Sequence, residues 1–184
     1  MLYEYGDEKY SLQKCHNLID QGIDVHATDD AGKTSLIYAA MHGDVDMLRK
    51  LIAMGANVNH QDGCDDTALL WAVSHDDLAS ATLLLENGAD PNLAGRGNYT
   101  PLMATVRVKG GEDVAQALMR YGADATQKDA YGEMAEEHAR YNGNHPLTNS
   151  LYRHRMTQTF TAAAERGTTR PRKIHRATPK RQQP

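Results

Sequence analysis

Histidine, cysteine and carboxylate side chains are the groups with which this chain could bind a metal or move a proton. It holds nine histidines and two cysteines, Cys15 and Cys64. The densest group is the stretch HQDGCDD at 60–66, with His60, Asp62, Cys64, Asp65 and Asp66. A tetrahedral zinc site needs four donors at a recognised spacing, and none is visible here. Polar turns collect the same residue types, so the stretch reads as a solvated turn, and no metal or cofactor is expected. His42 and His75 stand 33 residues apart and could line one surface, although periodicity alone explains them. Glu136 and Glu137 are adjacent, so on a helix they point in different directions and form no acid–base pair by themselves. The stretch RVKGGED at 107–113 has paired glycines and a lysine but lacks phosphate-loop spacing. No nucleophile elbow or dinucleotide fingerprint occurs either. The chain is therefore not expected to be an enzyme.

The elements that must position these residues repeat. Thr34, Thr67 and Thr100 recur every 33 residues, each followed by a leucine two positions on (Leu36, Leu69, Leu102) and a small residue at Ala39, Ala72 and Thr105. A threonine hydroxyl there can cap a helix by accepting from a free backbone N–H two or three residues on. Small residues let neighbouring helices approach closely. A second phase places Ser11, Asp44, Asp77, Gly111 and Asn144, all cap-forming types, ahead of apolar stripes such as Val45, Leu48, Leu51 and Ile52. A third phase, Gly22, Gly55, Gly88 and Gly122, supplies the left-handed residue that ends those helices. A fourth, Gly32, Asp65, Asn98 and Gly132, uses residues that tolerate positive φ in the following turn. Each unit is thus a capped helix, a turn, a second capped helix and a long polar turn. No unit can bury its apolar stripe alone, so the units must stack. The extra residue near 107–113 reads as a loosened inter-helix turn. Trp71, in phase with Tyr38 and Ala104, reads as a core or inter-repeat contact.

These units resemble ankyrin repeats, on the segments GKTSLIYAA…GANVN, DDTALLWAV…GADPN and NYTPLMATV…GADAT across about residues 11–152. The resemblance implies an all-α solenoid of stacked helix-turn-helix units with hairpin-like turns. One departure stands out. The family's histidine after the leucine is replaced by Ile37, Leu70 and Met103, which implies less rigid hairpins. The resemblance also implies a non-catalytic scaffold that binds a partner protein through its turns and the ends of its first helices. Carried onto this chain, the contact positions are Asp30, Lys33, Met41 and His42, then Asp66, Ser74 and His75, then Arg96, Tyr99 and Arg107, and lastly Tyr131 and Tyr141.

The ends of the stack differ from its middle. Residues 1–28 read as an incomplete N-terminal capping repeat, and 29–155 as repeats closing in a C-terminal cap. Glu136 takes the core leucine position and suggests a polar outer face there, with the last helix near 145–155. Residues 156–184 read as a basic, mostly disordered tail, with room for a short helix at 156–166. Net charge is −4, but from Arg153 onward the chain holds nine basic residues and one acid, so that segment carries +8 and the rest −12. The alternative function is accordingly an adaptor whose tail binds nucleic acid or an anionic surface. No aromatic residues interleave those charges, so base stacking is not supported and nucleic acid is not the favoured partner. No apolar run reaches the ~20 residues of a membrane span. No signal sequence is evident, and two cysteines make no disulfide framework, so a monomer in the reducing cytoplasm is expected.

Overall fold

The computed structural model describes residues 24–165 with the exception of Lys109. The expectations for Ser11, Cys15 and Gly22, and for the basic segment after Glu165, lie outside the described residues. Eight α-helices follow one another within them: α1 (Ser35–Met41), α2 (Val45–Ala53), α3 (Ala68–Ser74), α4 (Leu78–Glu86), α5 (Pro101–Ala104), α6 (Glu112–Arg120), α7 (Ala135–Tyr141) and α8 (His145–Glu165). Short 3-10 turns occupy Arg96–Asn98 and Thr105–Arg107. Among the described residues no strand forms, only the isolated antiparallel bridges Thr28–Thr34 and Gly95–Tyr99 at hairpin necks.

The helix starts follow from their caps. The Thr34, Thr67 and Thr100 hydroxyls accept from the N–H of Ile37, Leu70 and Met103 at 3.4, 3.1 and 3.2 Å. Asp44, Asp77 and Asn144 do the same for Met47, Ser80 and Leu147 at 2.9, 3.0 and 3.1 Å. At Met134 the threonine series breaks, and Glu137 reaches back instead to accept from the Met134 N–H at 2.8 Å.

Odd-numbered helices pack successively as one layer, α1 on α3, α3 on α5, α5 on α7. Within the second layer α2 packs on α4 and α4 on α6. Between the layers lie Leu36, Leu69 and Leu102, with Leu51, Leu84, Leu118 and Leu151, none more than 1% exposed. Each such leucine contributes about 1.5–3 kcal/mol. Ala39, Ala72, Thr105 and Ala139 are fully buried, as a close helix approach requires. In the third unit α5 lasts four residues and gives way to the 3-10 turn. Gly111 then packs so tightly that a Cβ there would run into the Thr105 carbonyl.

A polar ladder joins the units on the side of the long turns. Asn59 Nδ2 donates to the Gly88 carbonyl at 3.0 Å, and its Oδ1 accepts from the Asp90 N–H at 2.8 Å. Asn92 repeats the pattern with Gly122 at 3.1 Å and Asp124 at 2.6 Å. Thr126 follows in this series and lacks an amide. Gln158 closes the ladder from the opposite direction, donating to the Ala123 carbonyl at 2.8 Å and accepting from the Ala125 N–H at 3.0 Å.

Gln158 is there because α8 does not end near 155. The phase that ends α2, α4 and α6 at Gly55, Gly88 and Gly122 puts Arg155 inside α8, so no left-handed residue interrupts the helix and it runs to Glu165. The reading of Glu136 as part of a polar outer face is also corrected. Glu136 is 5% exposed and paired with Arg140 Nη2 and with Arg155 Nε, both at 2.9 Å. The cap carries a neutralised acid in its core rather than an acid facing water. Its second partner comes from the part of α8 where the helix had been expected to stop.

Two outcomes follow from this framework. Asn92→Ala removes two inter-unit bonds and should cost about 1–3 kcal/mol in urea unfolding. Asp76 sits at φ 57°, and burial, then Asp113 and Glu112, push its carboxyl above the usual carboxylate range. Its ionisation therefore costs stability, a loss that begins as the pH rises through the ordinary carboxylate value and is complete above the raised one. Asp76→Asn, which keeps tolerance of positive φ, should raise the melting temperature at pH 7, and the gain should vanish at a pH where both states are protonated.

Candidate functional site

The long turns are hairpins closed in one way. The N–H of Asp29, Asp62, Gly95 and Asp129 donates to the carbonyl four residues on, of Lys33, Asp66, Tyr99 and Glu133, at 3.0–3.1 Å. At the tips Asp65 and Asn98 take φ 66° and 58°, with Gly32 and Gly132 also positive, as the fourth phase requires. Hairpins also bind each other: the Gly63 N–H donates to the Ala31 carbonyl and the Ala130 N–H to the Gly97 carbonyl, both at 2.8 Å.

The looser hairpins implied by the missing histidine are corrected by a different tie. Three of the four neck residues are aspartates. Asp29 Oδ1 accepts from the Ala31 and Lys33 N–H at 2.9 and 2.8 Å. Asp62 Oδ1 accepts from Cys64 and Asp66 at 2.8 and 3.0 Å, and Asp129 Oδ1 from Tyr131 and Glu133 at 2.9 and 3.0 Å. The second oxygen of each reaches a further group. Asp29 accepts from the Tyr38 hydroxyl at 2.6 Å, Asp62 pairs with Lys33 Nζ at 2.8 Å, and Asp129 accepts from His138 Nε2 at 2.9 Å. Thus the stretch read as a solvated turn contains a buried aspartate, with a cation brought from the neighbouring hairpin.

Asp129, Glu133 and His138 hold donor atoms within 4.8 Å of one another and could offer one nitrogen and two oxygens to a cation. His138 occupies the position of Tyr38 in its unit, and its bond to Asp129 repeats the Tyr38–Asp29 tie. That equivalence assigns the group a structural part.

The hairpins and first helices present one face, and there the structure brings four contact positions together. Asp66, Ser74, Tyr99 and Arg107 line a pocket of about 170 Å³ with Leu70 and Trp71. Tyr99 is half-buried, its hydroxyl donating to the Met103 carbonyl at 3.0 Å. Burial pushes that hydroxyl's pKa up, against the pull of Arg107 beside it. Across the ring Tyr99 meets His138 edge-on at 5.8 Å. Trp71 stacks with His75 at 6.0 Å, and Lys33 Nζ lies 5.6 Å from its ring centre. The Trp71 Nε1–H is buried without an acceptor among the described residues, a cost of about 1–3 kcal/mol that the surrounding packing must offset.

The remaining positions stand apart from the pocket lining. Asp30 and Arg96 are exposed at hairpin tips, Met41 and His42 half-buried at the end of α1. Tyr131 is 89% exposed and Tyr141 74%. Sequence reasoning missed one residue that lines the pocket and one that packs against its lining. Trp71 was read as a core or inter-repeat contact, and it is also a wall. Gly95 was unassigned, yet a Cβ there would lie 2.6 Å from Asp66 Oδ1 and 2.7 Å from Leu70 Cδ2. The signal was present: Gly95 stands where the other described units have aspartate.

Residues 7–95 match the family model described as ankyrin repeats (3 copies). The two units that follow repeat the hairpin closure, and Thr100 and Asn144 repeat the side-chain caps. The protein is an ankyrin repeat protein, of a family whose repeats are generally protein–protein interaction modules and typically non-catalytic. No curated protein matches the chain. No helix among the described residues is long and apolar enough to cross a membrane.

Acid should loosen the hairpins first. Burial pushes the carboxyls of Asp29, Asp62 and Asp129 up, but the N–H donors, Tyr38, Lys33 and His138 outweigh it and hold all three below the usual carboxylate value. Their stabilisation is complete above that value and is lost as pH falls through the depressed ones, below about 4. A variant with asparagine at all three keeps the turn acceptors but should show a flatter stability profile below about pH 4 in urea titrations.

Proposed function

We propose that this protein is a non-catalytic scaffold that binds a partner protein across its hairpin tips and first-helix face, with the Trp71–Tyr99 pocket at the centre of contact. The observation that carries this reading is the convergence of Asp66, Ser74, Tyr99 and Arg107 on one pocket with aromatic walls. Hot spots favour such places: aromatic and arginine anchors in a partly desolvated recess, surrounded by near-neutral contacts that exclude water. The rigid hairpins below it hold the site without the partner, which lowers the ordering cost of binding. Exposed Tyr131 and Arg96 at the neighbouring tips extend the surface.

The test is affinity capture of a partner, followed by titration of the purified pair. Replacing Tyr99, Arg107 and Tyr131 together by alanine should weaken binding by about 30-fold or more, equivalent to about 2 kcal/mol. The variant should still melt cooperatively. Unchanged affinity would remove the assignment of this face.

A further inference from the structure

We infer that the pocket takes a basic side chain, an arginine or lysine of the bound protein, with its cation against Asp66. This rests on the scaffold reading and specifies the chemistry of its central contact.

Asp66 is the one acid of the pocket lining, and its carboxylate has no hydrogen-bond or ion-pair partner among the described residues. Neither nearby cation pairs with it. Lys33 Nζ is held by Asp62 Oδ2 at 2.8 Å, where Asp62 is fully buried and cannot release it without leaving its own charge uncompensated. Arg107 is exposed and stands beside the Tyr99 hydroxyl. Burial pushes the Asp66 carboxyl up first, and Asp62 and Asp65 push it further against the pull of Lys33. Asp65 and Asp30 add exposed negative charge on the adjoining hairpins, which the Gly63–Ala31 bond ties together.

The possible occupants can be ranked from this arrangement. An apolar side chain would seal Asp66 away from water with no counter-charge, a loss with nothing to offset it. An acidic one would meet Asp66, with Asp65 and Asp30 on the adjoining hairpins. A cation with an alkyl stem answers both halves of the pocket, since its stem lies along Leu70 and the aromatic walls while its head pairs with the carboxylate. Gly95 lets Asp66 and Leu70 pack against its backbone, since a Cβ there would strike both.

The chain's single tryptophan is Trp71, so its fluorescence and indole N–H resonance read the pocket directly. The probes are N-acetyl-Gly-Arg-Gly-amide, its citrulline counterpart, which keeps the shape without the charge, and its glutamate counterpart. Titrated to millimolar concentration into the full chain, the arginine peptide should move the indole signal saturably. Citrulline should bind about tenfold more weakly, and Asp66→Asn should abolish the difference. Equal response to arginine and citrulline, or preference for glutamate, overturns the proposal. A second full-length variant replaces Arg170, Arg172, Lys173 and Arg176 by glutamine. If it reproduces the Asp66→Asn indole position with no peptide added, the occupant is this chain's own basic segment and the inference fails. Should the arginine peptide give no response while the Tyr99, Arg107 and Tyr131 variant still loses a captured partner, the basic-side-chain inference falls and the scaffold reading stands. Loss of both would end both.

Discussion

A pair of helices of seven and nine residues has too little apolar surface to hide on its own, and everything else in this molecule answers to that shortage. Isolated helices of that length are marginal in water. They persist here because Leu51, Leu84, Leu118 and Leu151 are covered by neighbouring elements as well as by their own. Stability in such a stack is a sum of weak units and strong interfaces. The asparagine ladder belongs to the same logic. Asn59 and Asn92 spend both ends of one amide on the backbone of the next unit, so the units are bonded as well as packed.

The last described unit poses the reverse problem, because among the described residues it is covered on one side only. The chain solves it with one long helix. By carrying no glycine at the phase of Gly122, α8 runs far enough to bring Arg155 to Glu136 and Gln158 to the Ala123–Ala125 backbone. An acid at a core position and the missing amide at Thr126 are both compensated by the same extension. Removing Arg155 would leave the buried Glu136 carboxylate with the largely exposed Arg140 as its remaining cation, so the acid depends on the extension.

The face proposed for binding follows from the same geometry. Helices spaced by small residues form a nearly continuous face, and the hairpins at its edge are tied at their necks by Asp29, Asp62 and Asp129. At the third neck a glycine replaces the aspartate. That hairpin gives up its side-chain ties, and Asp66 and Leu70, which line the pocket between Trp71 and Tyr99, pack directly against the glycine.

The sequence by itself determined the repeat, its caps and its turns. Thr34, Asp44, Gly55 and Asp65 each act through backbone groups within a few residues, so residue type and spacing suffice to read them. That Tyr99 and Arg107 share one face was legible because the period fixes which face a residue occupies. Only the tertiary structure decided which of those positions meet, since Tyr99 belongs to the unit after that of Asp66 and Trp71 and reaches them through stacking. The Lys33–Asp62 and Glu136–Arg155 pairs are likewise decided in three dimensions. A charged residue shows its sign in the sequence, but whether it faces water or a partner 19 or 29 residues away depends on how the layers settle against each other.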